Sequence, residues 1–229
     1  NTGTAADYIR DLRNIRLTVK DSLGATGYKS YLDLILKSGT DRTRFIQELL
    51  QNADDCIYPT GRIPSFTLTQ RVNTITTIYN EAGFTRANIR SITAIGESTK
   101  NRLLNGDLSA IGEKGVGFKT VFASASEVKI YSGEYRFALR AEEPTIPRLL
   151  NETKDAGTGT RMEITLKDRS AIPSMKPADI LELCLCLRQL REISIHGHIS
   201  TQRLQLYCWA NSLPLAMARY NPRRLSIPV

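Results

Sequence analysis

Residues 44–57 constrain this chain more than any other stretch. At about 100° per residue, a helix here gathers Glu48, Asn52 and Asp55 within an arc of roughly 60°. Phe45, Leu49, Leu50, Ala53 and Ile57 cover the opposite side. Such a helix must lay its oily face on a core. Its polar stripe is an acid, an amide and an acid with no cation among them, where a surface helix ordinarily mixes Lys with Glu. That donor set suits a metal or water site and also suits a solvated face; periodicity alone does not choose.

The flanking sequence supplies the rest of an α/β fold. Residues 7–22 carry Tyr8, Ile9, Leu12, Ile15 and Val19 at helical intervals with Arg and Lys between, and the stretch from Gly24 to Gly27 breaks the pattern. A short helix is predicted over 29–37, then Asp41 or Thr43 caps the central helix, which Pro59 and Gly61 end. Threonine-rich, β-branched residues 65–79 read as strands. A turn at Asn80, Glu81, Ala82 and Gly83 and a helical turn over 86–95 follow. Residues 96–110 are polar without a firm period and are expected to form a mobile loop. Strands are predicted at 127–131, 135–140 and 160–167, the last alternating Met162, Ile164 and Leu166. Pro173 and Pro177 mark a boundary, a buried leucine-rich helix is predicted over 178–193, and further strands are expected around 204–209. The division that follows is an N-terminal helical extension at 1–40, a core at 41–170 and a helix-strand extension at 171–229.

Composition narrows the partners. A chain of 229 residues with 41% hydrophobic and 24% charged residues can bury a full core. Its formal charge of +8 suits an anionic partner. The cations fall in small clusters, Arg10, Arg13, Arg16 and Lys20 or Arg219, Arg223 and Arg224, without interleaved aromatics, so nucleic acid is the weaker choice. Cys56, Cys184, Cys186 and Cys208 show no CxxC spacing, and His196 and His198 flank a lone glycine, which argues against zinc. So few cysteines read as reduced thiols of an intracellular protein, cytoplasmic or nuclear. The start at Asn1 shows neither a leader pattern nor a spanning segment, and is read as that of a piece excised from a longer protein.

The second informative stretch is Ile111-Gly112-Glu113-Lys114-Gly115-Val116-Gly117-Phe118-Lys119-Thr120. Bare backbone amides in a glycine-rich turn make a generic anion receptor, and a tight turn at a sheet edge uses the same residues. It is not a P-loop, since Phe118 precedes Lys119-Thr120, and the third glycine of a dinucleotide fingerprint would fall at Thr120.

The order Glu48-x-x-x-Asn52-Ala53-x-Asp55, a turn with Gly83, a polar loop, Gly112-x-x-Gly115-x-Gly117-Phe118 and Gly159-Thr160 opening a strand resembles the GHKL ATPase superfamily of gyrase, the large heat-shock chaperones, histidine kinases and MutL. Residues 45–55 and 111–119 look most like the ATPase-like modules of sacsin and NO VEIN-type proteins. The resemblance covers roughly residues 41–167. It implies a two-layer Bergerat-type sandwich, a mixed and mostly antiparallel sheet with helices on one face, and an ATP-binding, Mg²⁺-dependent ATPase module of a larger multidomain protein. It implies Glu48 as the general base, Asn52 as the Mg²⁺ ligand, and Asp55 lining the pocket. It implies Gly112, Gly115, Val116, Gly117 and Phe118 around the phosphates, with Lys114 or Lys119 adding charge. Ser98, Thr99 and Lys100 would start the lid, and Thr160 would approach the adenine.

The sequence departs from that superfamily where an Asp, followed by two glycines, should accept the adenine amino group. Here stands Tyr79-Asn80-Glu81-Ala82-Gly83-Phe84-Thr85, and alignment leaves Tyr79, Asn80 or Glu81 at the acid's position. Asn80 and Glu81 both own acceptor oxygens. The alternative function is therefore a degenerate nucleotide-binding or scaffold module without hydrolysis, with contact to nucleic acid through the basic surface as a third reading. The expected partners are nucleotide and a protein client or the rest of the parent chain, with no membrane, the fragment itself being monomeric.

Overall fold

The computed structural model describes residues 3–38, 44–95, 116–152, 157–168, 187–197, 201–202, 205–207 and 217–219. The helices are α1 (Ala5–Ser38), α2 (Arg44–Asp54), α3 (Arg86–Ile92) and α4 (Val116–Lys119), the last running into a 3₁₀ turn at Thr120–Ala123. The strands are β1 (Ser65–Arg71), β2 (Thr74–Tyr79), β3 (Ala125–Ser132), β4 (Tyr135–Arg140), β5 (Glu143–Leu149), β6 (Thr160–Leu166), β7 (Glu192–His196) and β8 (Thr201–Gln202). β9 (Gln205–Tyr207) and β10 (Met217–Arg219) form a separate antiparallel pair.

The eight strands make one open sheet in the order β5-β4-β3-β6-β2-β1-β7-β8. Every pairing is antiparallel except β1 with β7. Alternation decides which side faces the core. Phe66 and Leu68, Ile75 and Tyr79, Val128 and Ile130, and Met162, Ile164 and Leu166 point one way and are buried with Ile9, Leu12, Ile46, Leu49, Leu50, Ile89 and Phe122 of the helical elements. Several intervening positions, among them Thr67, Thr76, Arg161 and Glu163, stay partly exposed. This is a mixed α/β architecture, as the sequence predicts. Among the described residues no helix is long and apolar enough to cross a membrane.

Several boundaries differ from expectation for identifiable reasons. The break in α1 is confined to Gly24, at φ 66° and ψ 172°, and the helix resumes at once. β5 contains Pro144 and Pro147, which spoil a strand pattern; it is tolerated because β5 lies at the sheet edge, where missing N–H groups cost no ladder bond. The helix predicted over 178–193 does not reach its expected end. Residues 187–190 are not helical and Glu192–His196 is a strand, since Ile193 and Ile195 alternate beside β1. The remainder of that predicted helix lies outside the described residues. β9 falls within the strand region expected at 204–209.

The cations of α1 that suggested a nucleic-acid face are largely engaged in the fold. Arg10 pairs with Asp7, Arg13 donates to the Pro147 carbonyl, Arg16 to the Arg90 carbonyl, and Lys20 to Glu143. A helix whose charges hold its own protein offers few of them to phosphates.

Candidate functional site

α2 buries Ile46, Leu49, Leu50 and Ala53, while Glu48 is half-buried and Asn52 and Asp55 are exposed. The stripe therefore lies where helical spacing put it. Ile57 does not continue the oily face: the helix ends at Asp54 and Ile57 is 79% exposed. Beyond the helix, Tyr58 donates its hydroxyl to the Ala53 carbonyl at 2.8 Å and the Cys56 thiol donates to the Asn52 carbonyl at 3.1 Å. The Asn52 carboxamide takes no hydrogen bond among the described residues. Asp55 pairs with Arg188 at the surface.

The chain leaving α2 meets the turn after β2, because the Ala82 N–H donates to the Ile57 carbonyl at 2.9 Å. Glu81 in that turn is only 3% exposed. One carboxylate oxygen accepts the Gly83 N–H at 2.5 Å and the other accepts the Thr160 hydroxyl at 2.5 Å. The Ser132 hydroxyl accepts the Phe84 N–H at 2.7 Å and bonds to Thr160 Oγ1. Since the Thr160 proton goes to Glu81, Ser132 donates to Thr160, and a line of donors ends on the carboxylate. Burial pushes the Glu81 carboxyl up, and the bonds from Thr160 and Gly83 work against that rise. Cys56, Tyr58 and Tyr79 stand near enough to feel its charge, and burial is the main cause that lifts the Cys56 thiol to about 12.

This geometry separates the three residues that alignment leaves open. The Asn80 carboxamide oxygen accepts the Ser65 N–H at 2.9 Å and its nitrogen donates to the Ile63 carbonyl at 2.9 Å, so it ties the end of β2 to the start of β1. Tyr79 is 2% exposed, with its ring stacked on Phe66 at 6.2 Å. Tyr79 lies opposite Thr160 in the β2–β6 ladder, and of the three Glu81 is the one whose carboxylate accepts the Thr160 hydroxyl. Gly83 supplies the turn its positive φ of 91°.

Phe118 of α4 is buried edge-on against Phe122. Gly117 and Val116 lie in α4, which packs against α2 and α3. Lys119, expected to add charge at the phosphates, is 2% exposed and lies close to Arg16 of α1. Burial, then the Arg16 charge, pulls its ammonium down to about 7 from an ordinary 10.5. Between these values the unfolded chain holds a proton that the folded one does not, so stability rises as pH rises through that window. Urea denaturation at pH 7 and pH 9.5 should show this slope, and Lys119→Met should flatten it; an unchanged slope would mean the amine is not the titrating group. Ser98, Thr99, Lys100, Gly112, Lys114 and Gly115, and the expected mobile loop at 96–110, lie outside the described residues.

Over 108 residues, 47% of this chain, the sequence is 38% identical to Protein NO VEIN of Arabidopsis thaliana. The chain spans 4% of that relative's length. No protein-family model matches the chain. The likeness to NO VEIN agrees in kind with the motif wording of residues 45–55 and 111–119.

Asp54 is a residue that motif reading passed over. Its carboxylate is buried and accepts the backbone N–H groups of Arg188 at 2.7 Å, Gln189 at 2.7 Å and Leu190 at 2.8 Å. The Gln189 side chain adds a bond to the Asp54 carbonyl at 2.8 Å. The signal was its position: on a helical wheel Asp54 falls about 40° from Leu50, at the edge of the oily face rather than in the polar stripe.

Proposed function

We propose that this chain is a nucleotide-binding module of the GHKL kind, built as a Bergerat-type sandwich, that takes Mg²⁺ and ATP and hydrolyses the terminal phosphate within a larger protein. The observation that carries the reading is the Glu81 carboxylate bonded to Thr160 and Gly83 beside the chain leaving α2. Glu81 stands two residues before Gly83, the spacing at which the superfamily's acid meets its first glycine, and Thr85 then stands where the second glycine would be. Its carboxylate keeps lone pairs for an exocyclic amino group.

The donor types on α2 fit a hard cation. Mg²⁺ favours oxygen ligands, retains waters, and needs only one or two protein oxygens beside the phosphates. Asn52 would supply one through its carboxamide, and Glu48, one turn earlier, would orient and deprotonate the attacking water. When bound, the ion neutralises charge on the phosphates. Backbone amides of residues 112–117 would hold them. Lys119, buried with its charge disfavoured by burial and by Arg16, is not assigned to the phosphates.

Glu81 is almost fully buried with Tyr79 and Cys56 close by, and this favours a second reading in which the module binds nucleotide weakly or serves as a scaffold. Calorimetric titration with ATP and Mg²⁺ decides between them. Micromolar to millimolar binding is expected for the parent protein and none for Asn52→Ala; indistinguishable heats from the two would remove the nucleotide claim. Glu48→Ala should still bind and release no phosphate, and phosphate release at the parent rate would reassign the base. Binding without any turnover in the parent would leave the scaffold reading.

A further inference from the structure

α1 is continuous from Ala5 to Ser38 yet packs as two helices. Its first half puts Ile9 and Leu12 into the main core. Side chains fasten that half to three places: the Tyr8 hydroxyl donates to the Arg86 carbonyl at 3.0 Å, Arg13 to the Pro147 carbonyl at 3.3 Å, and Arg16 to the Arg90 carbonyl at 3.1 Å. The second half joins a smaller cluster, in which Tyr28, Tyr31, Ile35 and Ile95 are the buried members among the described residues and against which Val19, Leu23 and Leu32 pack. Gly24 lies between the halves, with φ 66° and ψ 172°, a combination essentially confined to glycine.

The second half is also poorly satisfied. Among the described residues the buried hydroxyls of Tyr28, Tyr31 and Thr145 have no hydrogen-bond partner. Those of Tyr28 and Thr145 approach one another without reaching bonding geometry. An orphaned buried hydroxyl favours any state that returns it to water. A small separate cluster, a glycine-only joint and unsatisfied polar groups are together the marks of a segment that opens independently of the global fold.

We propose that residues 25–38 form a strap that undocks and redocks as a unit about Gly24 while residues 5–23 stay in place. Lys20 is the clasp: it donates to Glu143 at 2.9 Å and sits 5.1 Å from the centre of the Tyr28 ring, across the joint. Arg148 holds the other Glu143 oxygen at 2.6 Å. The strap ends at Ser38, shortly before α2 begins at Arg44, so its state changes the constraint on the helix bearing Glu48 and Asn52. The inference does not depend on the nucleotide reading.

Hydrogen exchange followed by mass spectrometry on the whole chain tests it. Amides of 25–38 should exchange at least about tenfold faster than those of 8–22, as expected of a sub-global opening unit. The double variant Tyr28→Phe with Tyr31→Phe keeps the rings and deletes two orphans, so exchange in 25–38 should slow while 8–22 is unchanged. Gly24→Ala, which disfavours the joint, should speed exchange in 25–38 alone. Equal rates in the two halves, both halves shifting together, or faster exchange in the double variant would each overturn the strap.

Discussion

Gly159→Ala is expected to lower the melting temperature by roughly 10 °C. Gly159 has φ +112°, and a β-carbon there would lie 2.1 Å from the Tyr79 carbonyl oxygen and 2.8 Å from the Asn80 α-carbon. Both are backbone atoms at the end of a central strand, so neither can rotate aside. The disfavoured φ costs about 1–3 kcal/mol by itself. Separating β6 from β2 adds packing loss, for a total of at least about 3–4 kcal/mol, and each kcal/mol moves the midpoint by about 2–4 °C at this chain length. Gly61→Ala is the control: φ is +81°, but nothing lies within 4 Å, so only the backbone term of about 1 kcal/mol remains. Thermal denaturation of both variants distinguishes the causes, and equal small losses would mean that β6 does not press on Tyr79. Because Thr160 follows directly, Gly159→Ala should also weaken the Thr160 bond to Glu81.

Asp54→Ala should cost about 3–5 kcal/mol, far more than Asp55→Ala. The neighbours look interchangeable in sequence and are opposites in the fold. Removing the Asp54 carboxylate strands three N–H donors, each worth about 1–3 kcal/mol when buried without a partner, with the total reduced by relaxation. Asp55 loses only an exposed pair with Arg188, worth at most about 1 kcal/mol. Asp54→Asn should fall between, since the amide keeps an acceptor but turns an NH₂ group toward other donors. Urea midpoints measure all three; if the two alanine variants match, Asp54 does not organise residues 188–190.

The parts of this fold that were legible in sequence are those governed by local period. The α2 stripe, the strands β1 and β2 and the alternation of β6 follow from side-chain spacing within one element; the strands lie within a residue or two of their expected bounds, while α2 stops at Asp54, about four residues before the end that Pro59 suggested. What the sequence hid depends on partners far along the chain. β5 looks unsuited to pairing until its edge position is known, and Leu187 reads as helix until Asp54 is seen capping the residues after it. The candidate site shows the same division. Spacing marks Glu48 and Asn52, and the family resemblance marks Thr160, but preferring Glu81 to Asn80 required seeing that one carboxylate meets β6 while the amide is spent on β1. Lys119 shows the limit from the other side: a cation beside a glycine run suggests an anion, and only packing shows that it is buried with the Arg16 charge near it.

The parallel pairing of β7 with β1 brings residues 65–69 against residues 192–196. As the chain emerges during synthesis, β1 must therefore wait, with one edge bare, until more than half of the sequence has followed it. Asp54 waits as well, since its donors arrive with the same late segment. Contacts so distant are slow to form and leave an adhesive strand edge exposed meanwhile. Newly made copies are most vulnerable to clumping in that interval, and the arrival of Arg188 to His196 brings it to a close.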